Sequence, residues 1–281
     1  MEEYKVIYNK KFGYRKLNPI PSRDELNNFY VKDYYKATQN INNKVDDEDT
    51  IWLQKTEYKD AYDIFNEYLL EGKLLDIGCG MGKFLSYMKE KGYDTFGIEP
   101  SLIACKKSKN IGLKIENCSI YDFESNDRKF DIINLTNVLE HLIDPLKAIE
   151  ICKKMLNKKG IIRIKVPNDF NKLQLELCKN FNKGKYWVAI PDHINYFNLE
   201  SLTNILEFYG FRIINKTVDF PMELFIFMGK DYIKNRNIGK ICHEERKKLE
   251  LSITNNLRRK LYNSFCNIGI GRNIIIYGIL N

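Results

Sequence analysis

The densest chemistry in the 281-residue chain lies in Leu74-Leu75-Asp76-Ile77-Gly78-Cys79-Gly80-Met81-Gly82-Lys83-Phe84-Leu85. Three glycines at alternate positions leave an apolar strand-like run and lead into a helix-like one. Glycine permits positive φ and lets a ligand come close to the backbone. The first amides of a helix add unpaired donors at the positive end of its dipole. The pattern is G-x-G-x-G, not the G-x-G-x-x-G of dinucleotide sites, and Gly82-Lys83-Phe84 lacks the Ser or Thr that ends a phosphate-binding P-loop. Glu99 closes the next strand-like run, Thr95–Glu99, where an acidic side chain is placed to accept hydrogen bonds from ribose hydroxyls. The glycine loop and Glu99 together predict a ligand that contains a nucleoside.

The chain has three histidines. His141 follows the strand-like run Phe130–Leu135, at the end of the sheet where ligands of open α/β folds bind. His193 lies in a polar-aromatic loop after the next strand. Both are candidate general bases for an acceptor that must lose a proton, and both equally suit a structural hydrogen-bonding role. His243 stands beside Cys242 on a charged helix and reads as a surface residue. The run Asn134-Leu135-Thr136-Asn137 is not [DNS]-P-P-[FYW] and no Pro-Cys dipeptide is present; both absences weigh against chemistry directed at nucleic acid.

Asp76–Gly82 and Glu99 resemble the cofactor motifs of class I S-adenosylmethionine (SAM) dependent methyltransferases. Asn137-Val138-Leu139-Glu140-His141-Leu142 with Asp144-Pro145, the run Asp192-His193-Ile194-Asn195-Tyr196-Phe197, and Tyr209-Gly210-Phe211 resemble the subgroup that includes the ubiquinone-biosynthesis O-methyltransferases. The resemblance spans roughly residues 70–220. It implies that Gly78, Cys79, Gly80 and Gly82 line the methionine portion of SAM and that Asp76 orders the loop and helps hold the amino group. Glu99 would hold the ribose, with Pro100 and Ser101 beside it. Ser119 and Ile120 would flank the adenine, although Ser119 stands where the family commonly has an acidic residue. Asn134–Thr136 would form the floor beneath the sulfonium, with Asn137 next to it.

These residues need a scaffold that brings strand ends together. Strand-like runs at Lys73–Ile77, Thr95–Glu99, Lys114–Glu116, Phe130–Leu135, Ile161–Val166 and Phe211–Val218 alternate with helix-like ones. Alternation of this kind predicts an α/β fold with a parallel sheet and right-handed crossovers. The resemblance implies a Rossmann-like, seven-stranded, mostly parallel sheet whose antiparallel last strand is Asn273–Leu280. Tyr58, Tyr62, Phe65 and Leu69 predict an amphipathic helix over 51–71, stopped by Gly72. Asp144 with Pro145 and Asn198 read as helix starts, and Ser22 with Glu25 as a capping box opening a helix towards Tyr30.

The expected organisation is an N-terminal segment at 1–50, a SAM-binding core at 51–220, a helical insertion at 221–270 and the final core strand at 271–281. Tyr14, Tyr30, Tyr34, Tyr35, Trp52, Tyr186 and Trp187 are aromatics that either stack an acceptor or pack the chain. Glu223, just before the apolar run Leu224–Met228, reads as a solvated turn residue or one facing the acceptor. Leu249, Ile253, Leu257, Leu261 and Phe265 recur every four residues and predict one long helix over 240–264. That helix either packs on its own domain, forms a homodimer contact or covers the acceptor.

The net charge of +8 hints at an anionic partner. Seven scattered cysteines without a CxxC pair disfavour zinc ribbons, iron–sulfur motifs and a disulfide framework, and fit a cytoplasmic setting. No apolar run reaches the ~18 residues of a membrane span, and Met1–Tyr4 has no secretory pattern. The expected function is SAM-dependent methyl transfer to a small-molecule or sugar-type acceptor at a hydroxyl oxygen. An RNA methyltransferase and a non-catalytic SAM-binding partner protein are the alternatives.

Overall fold

The computed structural model describes residues 4–22, 24–26, 43–125 and 127–281. In chain order, β1 (Lys5–Tyr8) and β2 (Arg15–Asn18) precede α1 (Asn43–Lys55) and α2 (Glu57–Asn66). Next come β3 (Lys73–Ile77), α3 (Lys83–Glu90), β4 (Asp94–Ile98), α4 (Leu102–Asn110), β5 (Ile115–Glu116) and β6 (Phe130–Thr136). A short 3-10 turn, Leu139–His141, leads to α5 (Pro145–Met155), β7 (Leu156–Pro167), α6 (Lys172–Asn180), β8 (Asn195–Tyr196) and α7 (Leu199–Phe208). The chain continues through β9 (Phe211–Val218), α8 (Glu223–Phe227), α9 (Arg236–Ser252) and α10 (Asn255–Asn267) to β10 (Asn273–Leu280).

Seven strands form one sheet in the order β5-β4-β3-β6-β7-β10-β9. The first five are parallel and the last strands antiparallel, as the resemblance implies. Strands covered on both faces read as near-continuous apolar runs; Leu74, Leu75, Ile132, Ile133, Ile161 and Ile162 are all fully buried. Helix starts follow their capping residues. Lys147 N donates to Asp144 Oδ1 at 3.0 Å, and Ser201 N donates to Asn198 Oδ1 at 2.8 Å. The Ser22–Glu25 box is reciprocal, with Glu25 N on Ser22 Oγ and Ser22 N on Glu25 Oε2; Tyr30 lies outside the described residues.

Two compact units divide the chain. One comprises Leu53–Val166, Thr203–Asn215 and Ile275–Asn281, and holds the central strands of the large sheet. The other comprises Met1–Trp52, Pro167–Leu202 and Lys216–Ile274, and contains a three-stranded antiparallel sheet, β1-β2-β8, that sequence patterning missed. Its β8 is only two residues long, too short for a period to register.

Two expected helices differ. The 51–71 helix is two helices, broken at Thr56, whose backbone leaves the helical region at φ −119, ψ −91. Within the expected helical insertion, Glu223–Phe227 forms α8. The 240–264 helix is also two, α9 and α10, parted at Ile253 in extended conformation, after which Thr254 caps α10 by accepting from Leu257 N.

That break redirects the buried face. Leu249 and Leu257 are exposed, whereas Arg246, Lys247, Glu250, Arg258 and Tyr262 are buried. Arg246 Nε donates to Glu250 Oε1 at 2.8 Å and its Nη2 to Asp219 Oδ2 at 3.3 Å. Tyr262 OH donates to Glu250 Oε1, and Trp52 Nε1 donates to Glu250 Oε2 at 2.9 Å. A buried charge persists when paired and hydrogen-bonded, and Arg246 is paired here with both Glu250 and Asp219. Trp52→Phe removes one donor to a buried carboxylate, an expected cost of about 2 kcal/mol. Calorimetric melting is expected to show a loss of about 5 °C.

All seven cysteines are free thiols. No helix among the described residues is long and apolar enough to cross a membrane.

Candidate functional site

At the carboxyl end of β3 the chain turns sharply. Gly78, Gly80 and Gly82 all hold positive φ, at 68°, 53° and 74°, in the region where only glycine is unstrained. Sterics separate their roles. A Cβ on Gly78 would stand 2.7 Å from Val138 Cγ2, and one on Gly82 2.4 Å from Leu113 Cδ1. A Cβ on Gly80 would meet nothing within 4 Å. The outer two glycines allow close packing, and the middle one faces open space.

Glu99 fixes this loop from the neighbouring strand. Its Oε2 accepts from Gly80 N at 2.8 Å, and its Oε1 from Ser101 N at 2.7 Å. Ser108 Oγ donates to the Gly80 carbonyl at 3.0 Å, so both backbone polar groups of Gly80 are held. Burial pushes the Glu99 carboxyl above the usual carboxylate range, and the Ser101 and Gly80 amides oppose that shift. A carboxylate offers about four acceptor sites, so two backbone donors leave capacity for ribose hydroxyls.

A pocket of about 240 Å³ opens beside the loop. It is lined by Asp76 and the loop residues Gly78, Cys79, Gly80 and Met81, by Asn134 and Thr136 from β6, and by Tyr58, Lys83 and Phe84. Whole ligands of this size class occupy roughly 300–1,000 Å³, so the pocket suits the end of a ligand distal to Glu99, which is not among its lining.

Beneath the pocket, register aligns polar residues across adjacent strands. Asp76 on β3 pairs with Asn134 on β6, and Asn134 with Arg163 on β7. Asn134 Nδ2 donates to Asp76 Oδ1 at 2.6 Å. Arg163 Nη1 donates to Asn134 Oδ1 at 2.7 Å and to Thr136 Oγ1 at 2.8 Å. Its Nε donates to Tyr277 OH on β10 at 3.1 Å, and its Nη2 to Glu57 Oε1 at 2.7 Å. Lys165 Nζ donates to Glu57 Oε2 at 2.5 Å. Burial would raise the Glu57 pKa, but Lys165 and Arg163 overcome it and hold it at about 2. Burial dominates at Asp76 and lifts it to about 7, with Asn134 and Arg163 opposing and Glu99 assisting.

The structure brings Asp76, Gly78, Cys79, Gly80 and Thr136 together around one pocket, with Gly82 and Glu99 fixing its loop. Pro100, Ser119, Ile120 and Asn137 are not in its lining. Asn117 Nδ2 donates to the Pro100 carbonyl, Ser119 Oγ donates to Asp122, and Ile120 is buried. Asn137 turns at φ 54°, with its amide donating to the Lys165 carbonyl. His141 lies in the 3-10 turn, partly buried, with Nε2 3.9 Å from Glu140 Oε1. In the other unit, His193 Nε2 is 4.0 Å from Asp192 Oδ2, and His243, read as a surface residue, is half-buried and paired with Asp49 at 3.1 Å.

Glu223 is not a solvated turn residue. It is 3% exposed and accepts from Tyr186 OH at 3.2 Å, and burial raises its pKa. Tyr14 and Trp52 are buried in packing, Tyr14 stacked on Phe197. Tyr34 and Tyr35 lie outside the described residues.

Sequence patterning missed Arg163, Lys165, Glu57, Tyr58 and Phe84. One signal for the first two was available: Ile161-Ile162-Arg163-Ile164-Lys165-Val166 sets two cations two apart, hence on one face, in a strand otherwise apolar.

Residues 53–216, more than half of the chain, match the family model described as methyltransferase domain. The ubiquinone biosynthesis O-methyltransferase of Actinobacillus pleuropneumoniae serotype 7 (strain AP76) is 37% identical over 101 residues, covering 32% of this chain and 43% of that protein. The chain thus spans less than half the length of that relative. A solved SAM dependent methyltransferase from Archaeoglobus fulgidus aligns with TM-score 0.52 at 18% identity, covering 82% of this chain and 98% of that one. The Burkholderia thailandensis 1,6-didemethyltoxoflavin-N1-methyltransferase, solved with S-adenosylhomocysteine, aligns with TM-score 0.55 at 12% identity over 99% of both chains. Those two likenesses carry the fold, and the family match carries the rest: the chain belongs to the class I SAM-dependent methyltransferases.

Proposed function

We propose that the protein transfers a methyl group from SAM to a small-molecule or sugar-type acceptor at a hydroxyl oxygen. One observation carries this reading: the positive-φ glycine loop is tied through Gly80 to Glu99 on the next strand. The residues present fit the cofactor. Gly80 leaves its backbone face open, Asp76 offers a carboxylate to an ammonium group, and Glu99 retains acceptor sites for ribose hydroxyls. When bound, SAM supplies an electrophilic methyl on a sulfonium whose departure needs no acid.

This chain's own contribution is therefore chiefly orientation and, for a hydroxyl acceptor, removal of a proton. His193 and His141 are the candidate bases, with Asp192 Oδ2 at 4.0 Å from the first and Glu140 Oε1 at 3.9 Å from the second. The hydroxyl preference rests on these histidines and on the O-methyltransferase relatives, and the +8 charge favours an anionic acceptor. The test is incubation with methyl-labelled SAM and cell extract, followed by identification of the labelled product. Label in no acceptor would point to a non-catalytic SAM-binding protein; label in RNA would overturn the small-acceptor reading. With the acceptor known, His193→Ala is expected to lower kcat about 100-fold while leaving S-adenosylhomocysteine affinity unchanged by calorimetry. The same assay on His141→Ala separates the two candidates.

A further inference from the structure

The polar row beneath the pocket is costly to build. Arg163 is completely buried between Ile162 and Ile164 on its strand, and a buried ion pair adds little net stability over an apolar replacement. All three of its nitrogens are nevertheless engaged. Glu57 holds Nη2, Tyr277 meets Nε, and Nη1 reaches both Asn134 Oδ1 and Thr136 Oγ1. An amide has one acceptor end and one donor end. With Arg163 claiming the oxygen of Asn134, only its nitrogen can face Asp76. A flipped amide would set its NH₂ against a guanidinium and its oxygen against a carboxylate, both repulsive.

We propose that Arg163, anchored by Glu57, is a positioning residue for the cofactor site, acting through Asn134 to hold the Asp76 carboxylate in place for the ligand's ammonium group. This rests on reading the pocket as the SAM site. Asn134 touches both the pocket and Arg163, whereas Arg163 does not line the pocket and acts only at second hand. Glu57, first residue of α2, lies one residue beyond the helix break at Thr56, and that break begins a new helix at the carboxylate the guanidinium needs.

The test is calorimetry with S-adenosylhomocysteine on the full chain. Arg163→Lys keeps the charge but not the fork that bridges Asn134 and Glu57. It is expected to weaken binding about tenfold, the worth of one charge-assisted hydrogen bond. In an Asn134→Ala background the same substitution is expected to change affinity less than twofold, since the link through which it acts is gone. Asp76 loses an opposing cation in Arg163→Met, and its donor Asn134 loses the contact that fixes its amide, so the midpoint of the pH dependence of binding should move upward, a readout that mere loosening of the core would not shift. Glu57→Gln provides an independent variant should the arginine substitutions fail to fold, with weaker binding expected in the same direction. Folded Arg163 and Glu57 variants with wild-type affinity, or an Arg163→Lys effect undiminished in the Asn134→Ala background, would overturn the positioning role. Failure of the wild-type protein to bind, or indifference to Asp76→Ala and Glu99→Ala, would instead overturn the cofactor reading and the positioning role with it.

Discussion

Glu99→Ala is expected to lower the affinity for S-adenosylhomocysteine about 1,000-fold. Two ribose hydroxyls bonded to a charged acceptor contribute roughly 1.5–3 kcal/mol each, and about 4 kcal/mol is three decades in affinity. The alanine also strands the Gly80 and Ser101 amides that the carboxylate now accepts from. The loop would then lose its tie to β4 as well as its ligand contact. Glu99→Gln separates these effects, because its single amide oxygen satisfies one backbone donor while its NH₂ opposes the other. An intermediate loss is expected there. Calorimetry measures both, with a thermal melt to verify folding, and unchanged affinity in folded Glu99→Ala would refute the assignment of the ribose to this residue.

What the sequence revealed and what it concealed divide along a physical line. The glycine loop was legible because its requirement is local: positive φ at three alternate positions strongly favours glycine, and the strand and helix on either side have their own periods. Glu99 was legible because the crossover between adjacent parallel strands fixes where a strand end falls. The row Asp76, Asn134, Arg163, Tyr277 was not, because each member sits on a different strand. Only the register, Asp76 opposite Asn134 and Asn134 opposite Arg163, makes them neighbours. The four-residue recurrence from Leu249 to Phe265 misled for the converse reason. It is locally perfect for one helix, yet Thr254 caps a new one, and burial of the Arg246–Glu250–Trp52 cluster outweighs the leucine stripe. Glu223 misled because a glutamate near a proline turn is ordinarily solvated, and only Tyr186, distant in sequence, reveals its burial.

The row also makes the site sensitive to pH in a determined direction. In the free protein, burial raises Asp76 to about 7, above its ordinary 3.8. Between 3.8 and about 7 the folded protein carries a proton there that the unfolded chain has already lost. The contribution of Asp76 to stability is therefore fully present below pH 3.8 and is lost as pH rises through 7. A ligand ammonium reverses the balance, because it selects the ionised carboxylate, and binding must expel the proton. Affinity is then expected to rise about tenfold per pH unit below 7 and to flatten above it. Between pH 5 and pH 7 the ionised fraction grows about fiftyfold, and so should the association constant for S-adenosylhomocysteine. Calorimetry in buffers of different ionisation enthalpy should register release of one proton at about pH 5 to 6. Asp76→Asn is expected to bind weakly with a flat profile over the same range. A wild-type profile equally flat would mean that Asp76 is already ionised in the free protein, with Asn134 and Arg163 then outweighing its burial.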